Sequence, residues 1–320
     1  MNAIRRALAL ALCGMLFAFL PAGAGAQTLT SIVIACPPAD DVTPALYANQ
    51  AGLFRAAGLN VEVRQMANGP AIASAVLGGA LQFGLATIGV PINSHAHGVA
   101  LAIVVGGGIY SSESPDTMLV VRKDSPIKTA RDLNGKIVTT TAVNDIAMVS
   151  IRAWMDANGG DSRTVRGVEM PFSAMPAALA QGRIDAADLR TPILQQALGS
   201  GEVRAIAQPY DALAKTYLQS VWFTTPEYAR ANPDVVSRFA RAMHEASVYA
   251  NAHHNETGPL TAAFLNLEPG ALNGSKRTTF AERTDPRDVQ SVIVAMAKYK
   301  AIDAPFDAKD LFDPSVLPRR

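Results

Sequence analysis

The residues of this chain best suited to hold a small molecule fall in loops where a strand hands over to a helix. Thr139-Thr140-Thr141-Ala142-Val143-Asn144-Asp145 offers three hydroxyls ahead of a helix start. The first amides of a helix lack intrahelical acceptors and sit at the positive end of its dipole, so they suit a carboxylate, sulfonate or phosphate. The same stretch also suits a cap, with Thr141 or Asn144 closing the first turn, and the two roles are compatible. Asp188-Leu189-Arg190-Thr191-Pro192 brings a guanidinium into a second such loop, where its alternative is an ion pair with Asp185 or Asp188. A guanidinium fork holds a planar anion by two hydrogen bonds. Ligands of open α/β sheets sit beyond the carboxyl ends of the strands. That rule adds the loops Pro37 to Asp41, Asn68-Gly69-Pro70 and Ala86-Thr87-Ile88-Gly89. The candidate contacts are therefore Pro38, Asp40, Asp41, Gly69, Pro70, Thr87, Ile88, Thr140, Thr141, Asn144, Asp145, Arg190 and Thr191. Tyr110, past a buried strand and a glycine run, joins them, with Phe172 and Trp222 as aromatic walls if they are not simply core.

Catalytic and metal chemistry finds little support. The histidines are His95, His97, His244, His253 and His254. His95 and His97 lie two apart, which points them to different faces of a helix. No His/Cys/Asp spacing matches a zinc site, and no Gly-x-Ser-x-Gly or Cys/His nucleophile pattern occurs. Cys36 precedes two prolines, with no base that sequence can place beside it. Gly106-Gly107-Gly108 lacks the Lys-Ser/Thr of a phosphate loop. No catalytic residue, metal ligand or cofactor is expected.

The elements that must position these loops alternate. Thr30 to Ala35 is a β-branched, buried strand. Thr43 as N-cap and Pro44 at the first helical position open a helix that runs to about Ala57 and stops at Gly58. Strands follow at 61–63, 81–85 and 101–105, with helices at 71–77 and 91–97 between them. A second series begins with strands at 117–121 and 137–140, then a helix over 144–158. It continues with strands at 168–170 and 184–189, joined by a helix over 175–181. A strand at 221–224 precedes a mostly helical remainder, whose longest helix runs from Pro233 to Asn251 with Asn232 as N-cap. A last helix covers 288–300, and the Pro- and Asp-rich tail wraps the surface. Strand–helix alternation marks α/β lobes with mostly parallel sheets.

The first residues address the chain. Met1 to Arg6 is short and positive, Ala7 to Leu20 is apolar, and small residues end at Ala24-Gly25-Ala26. This is the pattern of a secretory signal peptide cleaved after Ala26. The run falls short of the roughly 20 residues that span a bilayer. Cys13 is preceded by Leu12 and lies too early for a lipid-anchored cysteine. Cleavage leaves 26 basic and 27 acidic side chains, with Cys36 as the single cysteine. No basic excess points to nucleic acid or an anionic membrane, and no internal disulfide is possible. The remaining 294 residues exceed what one core usually organises, so two lobes are expected.

Four phrases carry a family resemblance. They are Ala51-Gly52-Leu53-Phe54-Arg55-Ala56-Ala57-Gly58-Leu59-Asn60-Val61-Glu62-Val63; Leu119 to Ile127 with Asp132-Leu133-Asn134-Gly135-Lys136; Ala178-Leu179-Ala180-Gln181-Gly182-Arg183-Ile184-Asp185; and Asn232-Pro233-Asp234-Val235-Val236-Ser237-Arg238-Phe239. In this order, after a signal peptide, the chain resembles the nitrate/sulfonate/taurine and thiamine-pyrimidine class of ABC substrate-binding proteins. The resemblance implies an α/β, type II periplasmic-binding-protein fold. Lobe one would comprise 27–121 and 222–320, and lobe two 122–221. A hinge near Val121-Arg122 and Ser220-Trp222 would close the cleft. It also implies a periplasmic monomer, from which a small-molecule ligand passes to an ABC permease in the inner membrane. The family commonly carries an acidic residue just before the proline matching Pro192, and an Asp where this chain has Gln82. With Thr191 and Arg190 beside Pro192, the expected ligand is an anionic or neutral molecule (a sulfonate, carboxylate or heterocycle) and not a polyamine-like cation. Two other roles share the fold. One is a sensor lobe for a membrane signalling protein. The other is a synthase of the thiamine pyrimidine, which the signal peptide and the lack of its Lys and His argue against.

Overall fold

The computed structural model describes residues 28–268 and 270–312. The signal-peptide reading, its cleavage site and the end of the tail lie outside the described residues. Strands in chain order are β1 (Thr30–Cys36), β2 (Leu59–Gln65), β3 (Phe83–Thr87), β4 (Ala102–Gly106), β5 (Gly108–Ser111), β6 (Thr117–Arg122), β7 (Ile137–Thr140), β8 (Arg166–Glu169), β9 (Ala186–Arg190), β10 (Val203–Ala207), β11 (Thr216–Leu218), β12 (Ser220–Thr224) and β13 (Thr279–Phe280).

Two five-stranded sheets repeat one plan. The first has order β2-β1-β3-β12-β4 and the second β8-β7-β9-β6-β10. In each, four strands run parallel, and the strand in the fourth position, from a crossing segment, runs antiparallel to them. β12 pairs with β3 in the register Ser220↔Thr87 to Phe223↔Gly84. β6 pairs with β9 from Thr117↔Arg190 to Val121↔Ala186. Helices join the parallel strands, as parallel pairing requires. A small third sheet, β11-β5-β13, lies on the crossings.

Both faces of each large sheet are covered, so the central strands read as continuous apolar runs. All five residues of β4 are buried. In the second sheet Leu119 and Val121 face one core with Val138, Met148 and Ile151, while Val120 faces another with Met175, Leu179 and Leu194. The period of two along the strand produces that split. In the first lobe Phe239 of the helix Pro233–Ala252 stacks on Phe83, ring centroids 4.2 Å apart, and on Phe54. A further apolar cluster joins the lobes. It packs Ile146, Val149 and Ala153 of the second lobe's helix Ile146–Ala157 with Ile88, Ile92, Val292 and Met296.

Several expectations need correction. β6 belongs to the second sheet, so the first crossing lies at about 112–116 and not at Val121-Arg122, and β12 enters the first sheet already at Ser220. The expected helix to Ala57 is two pieces, Thr43–Gln50 and Leu53–Ala56, because Gly52 adopts φ +75°. That left-handed backbone suits glycine alone without strain. Thr43 is not the cap. Its hydroxyl binds the Asp40 carbonyl inside a buried cluster. β5, β10, β11 and β13 were not anticipated, since short edge and crossing strands carry no clear alternation. Leu311 and Phe312 of the tail are buried and do not simply wrap the surface.

Candidate ligand-binding cleft

The carboxyl ends of β1, β2 and β3 in one lobe face those of β7 and β9 in the other. An enclosed cavity of about 20 Å³ lies between them. It is lined by Asp41, Asn68, Gly69 and Thr87 from the first lobe and by Thr141, Asp145, Phe172, Asp188, Arg190 and Tyr210 from the second, with Gln219 from the crossing. A cavity of that size holds about one water, so a larger ligand enters only when the lobes part. A groove of about 410 Å³ opens outside it, with Pro70, Gly89, Asn93, Asn144 and Asp145 on its walls. Asp145 is shared by cavity and groove, and the Thr87 hydroxyl donates to its Oδ2 across the lobe boundary. Asn93 donates to the Asn144 carbonyl beside it.

Gly89 permits that closure. A Cβ there would stand 1.8 Å from Asp145 Oδ1. Asp145 is pinned, since Oδ1 also accepts from the Ile146 amide at 2.7 Å and so caps the helix that follows. The cap is thus Asp145 and neither Thr141 nor Asn144. Burial pushes the Asp145 carboxyl above its usual range.

The two features expected to bind an anion are each partly taken up by the protein's own carboxylates. At the helix start, Asp145 takes the Ile146 amide and Glu169 accepts from the Val143 amide. Arg190 donates through Nε to Asp116 Oδ2 at 3.0 Å, through Nη1 to Asp41 Oδ2 at 2.9 Å and through Nη2 to Gln219 Oε1 at 3.0 Å. Burial opposes its charge, but Asp116 and Asp41 more than offset this and hold it protonated. The expected pairing with Asp185 or Asp188 is absent from these contacts. Asp116 extends the network, since Thr278 Oγ1 donates to its Oδ2. Asp40 receives the fork of Arg277 and the Thr278 amide.

Asp188, which sequence reasoning treated only as a partner for Arg190, stands on the cavity wall. Its Oδ2 accepts from the Tyr210 hydroxyl at 3.1 Å, and its Oδ1 has no partner among the described residues. Burial pushes its carboxyl up to about 7, partly countered by the Tyr210 hydroxyl and the Arg190 charge, with Asp116 and Asp145 pushing further up. Asp41 Oδ1 likewise has no partner among the described residues.

The remaining expected residues separate. Trp222 is 0% exposed and meets Phe239 edge-on in the first lobe's core, so it is no cleft wall. β12 carries it on the face away from the cavity. Tyr110 is buried on the crossing, its hydroxyl donating to Asp211 Oδ1. The Thr140 hydroxyl turns to the Ala142 carbonyl. Ile88 is core, and Thr191 is buried beside Lys276, whose carbonyl its hydroxyl reaches at 3.4 Å. Asp40 serves Arg277, Pro70 is on the outer groove, and Pro38 is half-buried in the loop after β1. The glycine run passes through a tight place, since a Cβ at Gly108 would lie 2.8 Å from Thr278 Cγ2 and 3.2 Å from Arg190 Nη2. Asp116, Tyr210, Gln219, Arg277 and Thr278 went unrecognised. Only their side-chain chemistry, without a neighbour in sequence, marked them.

Comparison with known proteins places this arrangement. Residues 39–257 match the sequence model described as NMT1/THI5 like, well over half of the chain. A protein of Brucella abortus (strain 2308), whose name marks it as a candidate binding protein, is 25% identical over 280 residues, covering 83% of this chain and 84% of its own. The periplasmic aliphatic sulphonate binding protein SsuA from Escherichia coli shares the fold with a TM-score of 0.69 at 19% identity, over 88% of this chain and 92% of that one. The periplasmic nitrate-binding protein NrtA from Synechocystis PCC 6803 does so with 0.73 at 15%, over 90% and 86%. The desulfurization enzyme DSZB also has the fold, TM-score 0.65 at 15% identity over 90% and 97%, so architecture alone does not separate capture from catalysis. With a match that spans both lobes, the chain belongs to the NMT1/THI5 like family and has the two-lobed periplasmic-binding-protein fold.

Proposed function

We propose that this chain is the non-catalytic solute-binding component of an ABC importer. It is exported to the periplasm by cleavage after Ala26, acts as a monomer, captures one small organic molecule between its lobes and hands it to a membrane permease. The observation that carries this reading is the enclosed cavity at the strand carboxyl ends, walled from both lobes. A site so closed is filled and emptied by hinge motion, and closure creates the shape that a permease reads. Non-catalysis is supported by Cys36, whose thiol is 0% exposed, donates to the Arg64 carbonyl and is pushed well up by burial and then by Asp41. A nucleophilic thiol needs the opposite environment.

The test is to purify the protein from periplasm, release its solute by denaturation and identify it by mass spectrometry. The solute is then returned to the stripped protein. The expected result is an N-terminus at Gln27, one solute per chain, a Kd near micromolar and a smaller radius of gyration on binding. Stabilisation should rise with solute concentration, because only the folded chain binds. An uncut chain in the cytosol, or a stripped protein whose melting temperature ignores the small-molecule fraction of the cell, would end this reading.

A further inference from the structure

Charge in the cleft is one-sided. Among the described residues the fully buried charged side chains are Asp40, Asp41, Asp116, Asp145, Asp188, Arg190 and Arg277. Five carboxyls thus face two guanidiniums, and on the cavity wall itself three carboxyls, Asp41, Asp145 and Asp188, stand against Arg190 alone. Arg277 is spent on Asp40, and Arg190 on Asp41, Asp116 and Gln219. The other strong donors on the wall are also committed. Tyr210 donates to Asp188, Thr87 to Asp145, and the Gln219 amide to Thr117. The acceptors are not all committed. Asp41 and Asp188 are each 1% exposed, each lines the cavity, and each has one oxygen without a partner among the described residues. One stands on the first lobe and the other on the second. A buried polar atom without a partner is costly, so a site that keeps two of them is matched to a ligand that supplies the missing donors.

We propose that the cleft recognises its solute as a hydrogen-bond donor: a small neutral or cationic molecule, such as an amine, amidine, guanidine or amino-heterocycle, whose N–H groups meet Asp41 of one lobe and Asp188 of the other. This deepens the solute-capture reading and rests on it. Such a ligand ties the lobes together through both carboxylates, so binding and closure are one event. A sulfonate or nitrate would bring a further negative charge beside the three carboxyls of Asp41, Asp145 and Asp188, against the single guanidinium of Arg190, which is already paired with Asp41 and Asp116. An unpaired buried charge of that kind is strongly disfavoured.

Shape-matched ions of opposite sign provide the test. Guanidinium and nitrate are both planar and three-fold, and benzamidinium and benzoate differ only in the head group. Each is titrated into the full mature protein at low millimolar concentration and pH 8, where the Asp188 carboxyl is ionised and accepts, followed by calorimetry and thermal shift. The co-purified solute is identified in parallel. The expected result is binding of guanidinium or benzamidinium without nitrate or benzoate, and a co-purified solute that carries N–H donors. Asp188→Asn and Asp41→Asn should each weaken benzamidinium about tenfold to a hundredfold, the worth of one charge-assisted hydrogen bond. Preferential binding of the anions, or a co-purified sulfonate, overturns the inference and leaves solute capture intact. Absence of any solute together with silence from all four probes overturns both.

Discussion

Asp188→Asn separates the cost of the buried carboxyl from everything else in the fold. In the native chain this group holds its proton up to about pH 7, against 3.8 for a free aspartate. A raised folded value means that its contribution to stability is complete below pH 3.8. It is lost as pH rises to about 7, because the unfolded chain releases the proton first. The gap of roughly 3 pH units corresponds to about 4 kcal/mol at pH 8. Asparagine keeps the shape and an acceptor for Tyr210 while removing the ionisation. The variant is therefore expected to match the parent near pH 4 and to exceed it increasingly up to pH 7, with a constant margin above. At about 2 °C per kcal/mol for a chain of this size, the melting temperature at pH 8 should differ by just under 10 °C. Asp145 slopes in the same direction but is common to both proteins, so the difference isolates Asp188. Paired thermal melts from pH 4 to pH 8 in matched buffers provide the measurement. A difference independent of pH, or a variant less stable than the parent at pH 8, would refute the reasoning.

Three other perturbations probe separate parts of the structure. Gly89→Ala places a Cβ against the pinned Asp145 carboxylate and should hold the lobes apart. Small-angle scattering should then give a larger radius of gyration than the parent, and an unchanged value would mean that Asp145 yields instead. Arg277→Met leaves Asp40, 0% exposed, with its charge uncompensated. Loss of a buried partner costs about 3–5 kcal/mol, to be read by urea titration, and a loss below 1 kcal/mol would show that the Thr43 hydroxyl and the Thr278 amide suffice to hold Asp40. Cys36 should resist a thiol reagent in the native chain and react fully in denaturant, whereas rapid native labelling would place it near the surface.

The parts of this molecule legible in the sequence are those written locally. Strand-to-helix switches punctuated by Gly and Pro located all five loops at the strand ends. Asp41, Thr87, Asp145 and Arg190 lie on the cavity wall because each sits within two residues of such a switch or on the first turn after it. Long-range facts were not written locally. Arg190 meets Asp116 and Asp41 across 74 and 149 residues, and Arg277 meets Asp40 across 237. Without those partners, Arg190 and the helix start near Asp145 look like open anion sites, although carboxylates of the chain take part of each. Trp222 and Tyr110 misled for a related reason. A strand alternates its faces, so an aromatic near a strand end is cleft or core according to register, and register comes from pairing.

Net charge concealed the decisive feature. A chain with 28 basic and 27 acidic residues is close to neutral, yet its buried charges are five aspartates and two arginines among the described residues. Other basic residues stand at the surface, several in exposed pairs such as Arg64–Glu62 and Arg163–Asp161, which contribute little to stability. The acidic excess is concentrated where it costs most. A fold selected for stability alone would exchange Asp188 for a neutral residue, since that carboxyl opposes folding at neutral pH. Local rules broken without compensation inside a protein point to function. An incoming N–H donor would relieve the penalty at Asp188 only in the closed state, where Asp41 also reaches it. The destabilising carboxyl then becomes part of the force that closes the lobes.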